Sequence, residues 1–548
     1  MRGRSLSQSP ITFTFKTAVY VRDVYDLLSN EVVFRGIGLT LIAAIALLVS
    51  APQLHSQSQP SVRTPLGVFA HISIEDALQS YNGPTPATEA GYRAYLDQIY
   101  EGLLADPAIS GITVGLHWDH IQLDDPACIF TNSCAGGPGG YDWNYLDDAF
   151  AAAIAAHKSV QLIINPGVES PTWLMNKLPS CDGLFSDTGT APFNCGKVTF
   201  QNFPEQAHAD APDPPMPLPW NPIYIAYWDD FLIHLSARYT SNPAFTYIAL
   251  AGPNCASTEL ILPTTADGST QISGVQSDEA WQTLIHHSFP FLPGYQNTDQ
   301  VFIDAWKQTI DAYELIFHGI TLVISADDGD AFPELSETVG GHPDNFLDGV
   351  DCSTSSFPVS CEAKTEILSY FAQARGSNEK SSQVGGMTAG SNIKTGNIGI
   401  PGIKVLTSYN PPLHPPFLGG AEFDFQVSFA NQLQQQGCPD YSKNDPNPSD
   451  CVNLTPEQGA FNTLTVFFDG TRDAADFDGT PGSQPMQYVE VDYVDVQYAQ
   501  KPKNQCQTFL PSMIKGPPSL QDIYNLASYD LYTMAGKPAT LPPTTCNP

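Results

Sequence analysis

The chain is poor in positive charge. Its 548 residues include 23 lysine and arginine side chains against 57 aspartate and glutamate side chains. The first 51 residues carry five basic and three acidic groups, so the remainder holds 18 basic and 54 acidic groups, a net charge of −36. Proteins bind nucleic acids and anionic membranes through lysine and arginine that neutralise phosphate. We therefore expect no nucleic-acid partner, while a hydrophobic fraction of 42% excludes a largely disordered chain.

The chain also lacks a hydrophobic run of ordinary transmembrane length. The run Ile37–Ala51 is about fifteen residues long, follows Arg35 and precedes a polar segment. That size is typical of the hydrophobic region of a signal peptide. We expect residues 1–58 to be an export leader, or an uncleaved membrane anchor, with a polar linker. Residues 59–548 are then a single domain that is secreted, periplasmic or displayed at the cell surface.

CxxC motifs and closely spaced Cys/His ligands are missing as well, which argues against a thiolate metal site. Ten of the eleven cysteines instead fall into neighbouring pairs, and in an exported chain such pairs predict local disulfides. The expected pairs are Cys128 with Cys134, Cys181 with Cys195, Cys352 with Cys361, Cys438 with Cys451, and Cys506 with Cys546. The eleventh, Cys255, has no Ser/Cys-His-Asp signature around it, and we expect a buried, inert thiol.

No GxGxxG motif follows the first predicted strand, which argues against a doubly wound dinucleotide-binding sheet. Strand-like segments instead alternate with helical ones. The predicted strands are 66–72, 109–118, 159–167, 245–250, 320–328, 381–390, 419–427 and 487–496. This alternation predicts an α/β fold, a closed (β/α)8 TIM-type barrel. Its weakest part is 393–410, a Gly/Pro-interrupted connection that is expected to hold at best a short helix.

Four of the cysteine pairs fall in strand-to-helix loops, the side on which barrel enzymes build their sites. We therefore expect long, disulfide-stapled loops on this rim. Polar and aromatic residues gather there. The predicted site residues are His71, His117, Trp118, Asn165, Trp173, Asn254, Glu259, Asp327, Glu422 and Glu490. Paired carboxylates among aromatic rings suit glycosidic cleavage, in which one acid protonates the leaving oxygen and a second carboxylate attacks or activates water.

The segment Phe245–Pro263 makes the prediction more specific. A run of β-forming residues breaks at Gly-Pro and delivers Asn254 and Glu259 into a loop. GPNCASTELILP resembles the segment of β-amylases and β-galactosidase-like enzymes in which Gly-Pro is followed by a Glu-Leu pair and a proline. These are (β/α)8-barrel glycoside hydrolases with an acid/base glutamate after strand four and a nucleophilic glutamate at strand seven. The resemblance implies that Glu259 is the acid/base and that Glu422, in GGAEFDF, is the nucleophile.

The expected function is therefore that of an exported glycoside hydrolase acting on an oligo- or polysaccharide, with no cofactor and no metal. Glu490 and Asp492 share one face of the eighth strand, so they are alternatives to Glu422 as the second carboxylate. Two rival functions stay open. One is a non-catalytic carbohydrate-binding or cell-surface structural protein, which needs the aromatic residues but no carboxylate pair. The other is a metal-dependent hydrolase using His71, His117 and the Asp327-Asp328 pair.

Overall fold

A computed structural model describes residues 63–83, 88–131, 133–134, 137–202, 213–255, 262–263, 270–292, 295, 300–326, 337–339, 342–344, 367, 370–371, 403–409, 418–423, 486–500 and 520–540. These residues all belong to one compact unit, Val62–Pro548. The predicted leader, residues 1–58, lies outside them. Among the helices of the described ranges, none has both the length and the apolar character needed to cross a membrane.

The main sheet is built around six parallel strands. The strands assigned to this sheet are β1 (Gly67–Ser73), β2 (Ile109–His117), β3 (Ser159–Asn165), β4 (Phe245–Ala249), β5 (Thr321–Ala326), β6 (Ile403–Tyr409), β7 (Leu418–Phe423) and β8 (Met486–Asp492). In the order β8-β1-β2-β3-β4-β5, each strand is parallel to the next, and together they form a half-barrel. The buried runs in β2, β3 and β4 explain why these segments form strands covered on both faces.

The predicted closed (β/α)8 barrel is wrong. The strands do not form a closed ring of eight parallel strands, because β6 runs antiparallel to both of its neighbours, β5 and β7, while β7 is parallel to β8. A parallel neighbour needs a crossover of a dozen or more residues, and only 410–417 separate β6 from β7. The short connection therefore forces the two strands into antiparallel pairing.

The sixth strand also lies at a different place in the sequence. The predicted strand 381–390 falls outside the described residues, and β6 forms instead within 393–410, the segment expected to be an interrupted connection. The sequence of β6, IKVLTSY, contains the β-branched residues that favour strands and is bounded by Pro-Gly and Asn-Pro. The other seven predicted strands are confirmed, with shifted ends.

The end of β8 illustrates such a shift. Its predicted range ran to residue 496, but the strand stops at Asp492 and a helix follows at once. The Asp492 carboxylate accepts a hydrogen bond from the Val494 amide at 2.6 Å. Such a cap satisfies an amide that the first turn of a helix leaves unpaired, and it marks where the strand must end.

The helices of the described ranges are α1 (Ile74–Gln79), α2 (Glu89–Leu104), α3 (Trp118–Ile121), α4 (Cys128–Thr131), α5 (Asn144–Ala155), α6 (Thr172–Met175), α7 (Pro222–Tyr239), α8 (Ser277–Ser288), α9 (Gln300–Ile316), α10 (Tyr493–Ala499) and α11 (Leu520–Met534). Helical periodicity in the sequence predicts helices over 87–106, 145–157, 223–239, 300–318, 363–374, 455–468 and 519–534, and α2, α5, α7, α9 and α11 match five of these ranges closely. Side-chain caps set two of the starts, since Thr88 accepts from the Gly91 amide and Asn221 from the Ile223 and Tyr224 amides. Most of the predicted helix 363–374 and all of 455–468 lie outside the described residues.

Two disulfides staple the loops that follow β2 and β3, as predicted. They join Cys128 to Cys134 and Cys181 to Cys195. The other three predicted pairs lie outside the described residues. Cys255 is a buried thiol whose Sγ lies 3.8 Å from Met216 Sδ.

An apolar layer fills the interior of the half-barrel. It consists of buried side chains contributed by five of the strands, namely Phe69, Ile163, Tyr247, Ala249, Val323 and Tyr488. The rings of Phe69 and Tyr488 meet edge to face at 6.3 Å. Because alternate residues of a strand share a face, the interior positions one step nearer the carboxyl ends belong to polar residues, including His71 and Glu490. The functional groups described below lie beyond this layer.

Candidate functional site

Polar side chains occupy the half-barrel interior next to the apolar layer. Thr113 Oγ1 donates a hydrogen bond to Gln161 Oε1 at 2.6 Å, and both residues are buried. His71 lies on the same face, since a Cβ added to Gly115 would be 3.2 Å from its Nε2 atom. Glu490, on β8, is fully buried. Among the described residues, its carboxyl oxygens accept no hydrogen bond of normal geometry, and the Thr113 side chain is the polar group that interacts with them.

The environment of Glu490 favours its neutral form. Burial raises its pKa to about 7, because the charged form loses hydration. His71 and Thr113 favour the charged form, but the effect of burial is larger. A carboxylic acid that keeps its proton near neutral pH can act as a general acid. The alternation in YVEVDYVDV identified Glu490 from sequence, but burial inside a sheet is what sets its protonation.

The backbone register brings a second glutamate next to Glu490. Glu422 on β7 is the Cα partner of Glu490, and Lys404 on β6 is the Cα partner of Glu422. Neighbouring strands lie about 4.8 Å apart. Two of the acids predicted from sequence therefore occupy adjacent positions on adjacent strands.

A second group of ionisable side chains lies where β1, β2 and β3 end. His117 Nδ1 is 3.0 Å from Glu169 Oε2 and 3.8 Å from Glu75 Oε1. His120 Nδ1 lies 3.0 Å from the same Glu75 oxygen. That oxygen also accepts the His117 backbone amide at 2.9 Å. Single donor atoms of His117, Asp119 and Glu169 all lie within 4.8 Å of one another, close enough to hold a metal ion.

These contacts shift the pKa values of the cluster. Burial lowers the pKa of His117, but its interactions with Glu169 and Glu75 outweigh burial and raise it to about 8. Burial likewise opposes ionisation of Glu75, yet its hydrogen bond to His120 and the charge of His117 bring its pKa below the ordinary value. Burial raises the pKa of Asp119; His120 and His117 oppose this shift, while the charges of Glu169 and Glu75 add to it.

Short local elements position these side chains. Glu75 lies in the first turn of α1, directly after β1, and Asp119 and His120 lie in α3, directly after β2. Glu169 belongs to the 3-10 turn Gly167–Glu169 that follows β3. Gly167 has φ +71°, and a Cβ there would lie 1.7 Å from the Cys255 carbonyl oxygen, so this turn requires glycine.

Sequence reasoning found His117 but missed Glu75, Asp119, His120 and Glu169. The predicted site residues lie mostly at the last positions of the strands. These four residues belong instead to the turns that follow the strands. The spacing HWDH after β2 was the available signal, since a single helical turn brings residues of such a segment together.

The other predicted site residues have varied surroundings. Asn165 ends β3, and its Oδ1 is buried without a hydrogen-bond partner in the described part of the chain. Asn254 is buried and its Oδ1 accepts the Gly252 amide at 2.7 Å. Trp173 is half-buried and donates to the Gln122 carbonyl oxygen at 3.1 Å.

Trp118 belongs to the hydrophobic core. It is fully buried, packs against Trp228 at 5.0 Å between ring centroids, and donates to Gln122 Oε1 at 2.8 Å. Glu259 and Asp327, by contrast, lie outside the described residues. Comparison with known proteins adds no assignment, since no protein-family model matches the chain and a search of curated proteins finds no match.

Proposed function

We propose that the chain is an exported hydrolase of glycosidic bonds in an oligo- or polysaccharide, with Glu490 as its proton donor. The observation that carries the proposal is the buried Glu490 carboxyl, whose pKa of about 7 keeps it protonated near neutral pH. Glycosidic cleavage needs such an acid, because the leaving alkoxide must receive a proton as the bond breaks. The two disulfides favour an oxidising compartment, which supports export.

The second carboxylate in this mechanism is Glu422. Its register beside Glu490 supports a close pair. Two carboxyl groups about 5–5.5 Å apart are typical of retaining enzymes, and the strand spacing of about 4.8 Å is of that order. In this mechanism Glu490 carries the proton and Glu422 is the attacking carboxylate, the two roles that the reaction requires.

The steps follow from these roles. Glu490 transfers its proton to the glycosidic oxygen while a Glu422 oxygen bonds to the anomeric carbon, and the carbon–oxygen bond to the leaving sugar breaks. Water then attacks the anomeric carbon, releases Glu422 as a carboxylate, and returns a proton to Glu490. His71 and Asn165, at the carboxyl ends of β1 and β3, are suited to hydrogen bonding with sugar hydroxyls.

A panel of chromogenic aryl glycosides tests the proposal with wild type, Glu490→Gln and Glu422→Gln. Glu490→Gln is expected to slow hydrolysis of substrates with poor leaving groups by about 10²–10⁴-fold and to affect activated aryl substrates less. Glu422→Gln is expected to slow both kinds. Glu101→Gln, which changes an exposed acid on α2, is the control and should leave activity unchanged.

Glu259→Gln belongs in the same panel because the sequence resemblance makes Glu259 the rival acid. Hydrolysis that persists in both Glu490→Gln and Glu422→Gln but is lost in Glu259→Gln would overturn the assignment of the residues. Binding of a glycan without cleavage by wild type would overturn the enzymatic proposal and support a carbohydrate-binding protein.

A further inference from the structure

We propose that His117, Asp119 and Glu169 bind a divalent transition-metal ion at the carboxyl ends of β2 and β3. This site is additional to the carboxylates assigned to glycosidic cleavage. It differs from the sequence-based expectation that the chain holds no metal. It also differs in its ligands from the rival metal-dependent hydrolase, which shared only His117.

The donor atoms have the separations that a bound ion requires. One atom from each of the three residues lies within 4.8 Å of the other two, and His117 Nδ1 is 3.0 Å from Glu169 Oε2. Two ligands at right angles around an ion, each about 2.1 Å from it, are about 3.0 Å apart. The closest pair therefore already has the separation of neighbouring ligands.

Asp119 provides a second, independent observation. Its Oδ1 atom is buried, and no hydrogen-bond partner for it occurs among the described residues. The carboxylates of Glu169 and Glu75 repel that of Asp119, whereas His120 and His117 attract it. A buried carboxylate oxygen without a partner is unfavourable, because it has lost water and gained nothing in exchange. A cation bound between Asp119, His117 and Glu169 would give the Asp119 carboxylate a partner.

The surrounding contacts hold the proposed ligands in place. Glu75 accepts the His117 backbone amide and contacts His120, so it links the start of α3 to the end of β1. Residues that hydrogen-bond to metal ligands without contacting the ion orient those ligands, and they typically contribute 10- to 100-fold to metal affinity. Gly167 fixes the turn that carries Glu169.

The donor set indicates the class of ion. One imidazole nitrogen with two carboxylates suits Zn²⁺ or Mn²⁺, whereas Ca²⁺ and Mg²⁺ prefer oxygen ligands alone. The side chains of His117 and Glu169 are 21% and 22% exposed, so the site is accessible to water and to an entering ion. Three protein ligands leave at least one coordination position for water.

Isothermal titration calorimetry of the chelator-treated full chain with ZnCl2, and separately with MnCl2, tests the proposal. Wild type should bind one ion of at least one of these metals. His117→Ala, Asp119→Asn and Glu169→Gln should each lower the affinity by about tenfold or more, and Glu75→Gln should lower it by 10- to 100-fold through its effect on His117. Circular dichroism confirms folding, and the near-isosteric Asp119→Asn and Glu169→Gln keep the test valid if His117→Ala unfolds.

His234→Ala is the matched control. His234 is a partly exposed histidine whose Nδ1 lies 3.7 Å from an Asp230 carboxylate oxygen, so it offers a histidine–carboxylate pair outside the proposed ligand group. Its replacement should leave the affinity unchanged. The absence of saturable binding by wild type, or equal affinity in wild type and all three ligand variants, would overturn the proposal. Because the readout is binding, this result is independent of whether any glycoside is cleaved.

Discussion

Glu490 should make the folded protein less stable as the pH rises from mildly acidic to neutral. Its pKa is about 7 in the folded protein and about 4.5 when exposed, because burial disfavours the charged form. The folded state therefore keeps a proton that the unfolded chain releases. The contribution of Glu490 to stability is highest below about pH 4.5, where both states hold the proton. It falls as pH rises towards 7.

The size of this effect follows from the two pKa values. Each pKa unit corresponds to about 1.4 kcal/mol, so the gap between about 4.5 and about 7 corresponds to about 3 kcal/mol. Glu490→Gln has no proton to release. The difference in free energy of unfolding between Glu490→Gln and wild type should therefore change by about 3 kcal/mol in favour of the variant between pH 4.5 and pH 7.5. Any effect of the amide on packing is the same at both pH values and cancels in this comparison.

Urea-induced unfolding with the disulfides intact measures this difference at the two pH values. Glu101→Gln is the control, because Glu101 is exposed and its replacement should give the same difference from wild type at both. A difference for Glu490→Gln that does not change with pH would refute the reasoning. It would mean that Glu490 is ionised in the folded protein, with a cation close enough to offset its burial.

Three further results are expected. Gly167→Ala should lower the free energy of unfolding by about 2 kcal/mol or more and weaken zinc binding, because its Cβ would lie 1.7 Å from a carbonyl oxygen. Gly189→Ala is the control, since Gly189 also has a positive φ but nothing lies within 4 Å of an added Cβ. Thermal and urea unfolding should show a smaller loss of stability for Gly189→Ala than for Gly167→Ala. Replacing both Cys181 and Cys195 by serine should destabilise the protein by about 3 kcal/mol in urea unfolding, as expected for a loop closed across 14 residues. If Glu490 is the proton donor, kcat/KM for an unactivated glycoside should fall above about pH 7, and Glu490→Gln should lose that limb of the profile.

Hydrophobic patterns predicted the individual elements well because each depends on local sequence. The buried runs of β2, β3 and β4 and the apolar stripe of α7 carry their own signal. The direction in which a strand runs is harder to predict from local sequence, because it depends on the connections between strands. The antiparallel direction of β6 depends on the short link 410–417 and on which strands pair with its two edges. Neither can be read from the composition of residues 403–409.

The site was predictable to the extent that its residues end strands. His117 and Glu490 were identified this way. The sequence did not indicate how deeply they are buried or which residues they contact. Glu75 and Glu169 became neighbours of His117 only because three parallel strands end at one edge, and nothing in the spacing of 75, 117 and 169 marks them as partners. Pairing across strands is a property of the register, which a single sequence specifies weakly.

The reversed direction of β6 changes the edge of the sheet to which the chain returns after β5. In a parallel barrel, the connection after β5 would leave the carboxyl-end edge and return to the sheet at the opposite edge. Here β6 begins opposite the end of β5, so the connection 327–402 departs from and comes back to the same edge. Both ends of the 327–402 connection are therefore anchored at the edge of the sheet where β5 ends.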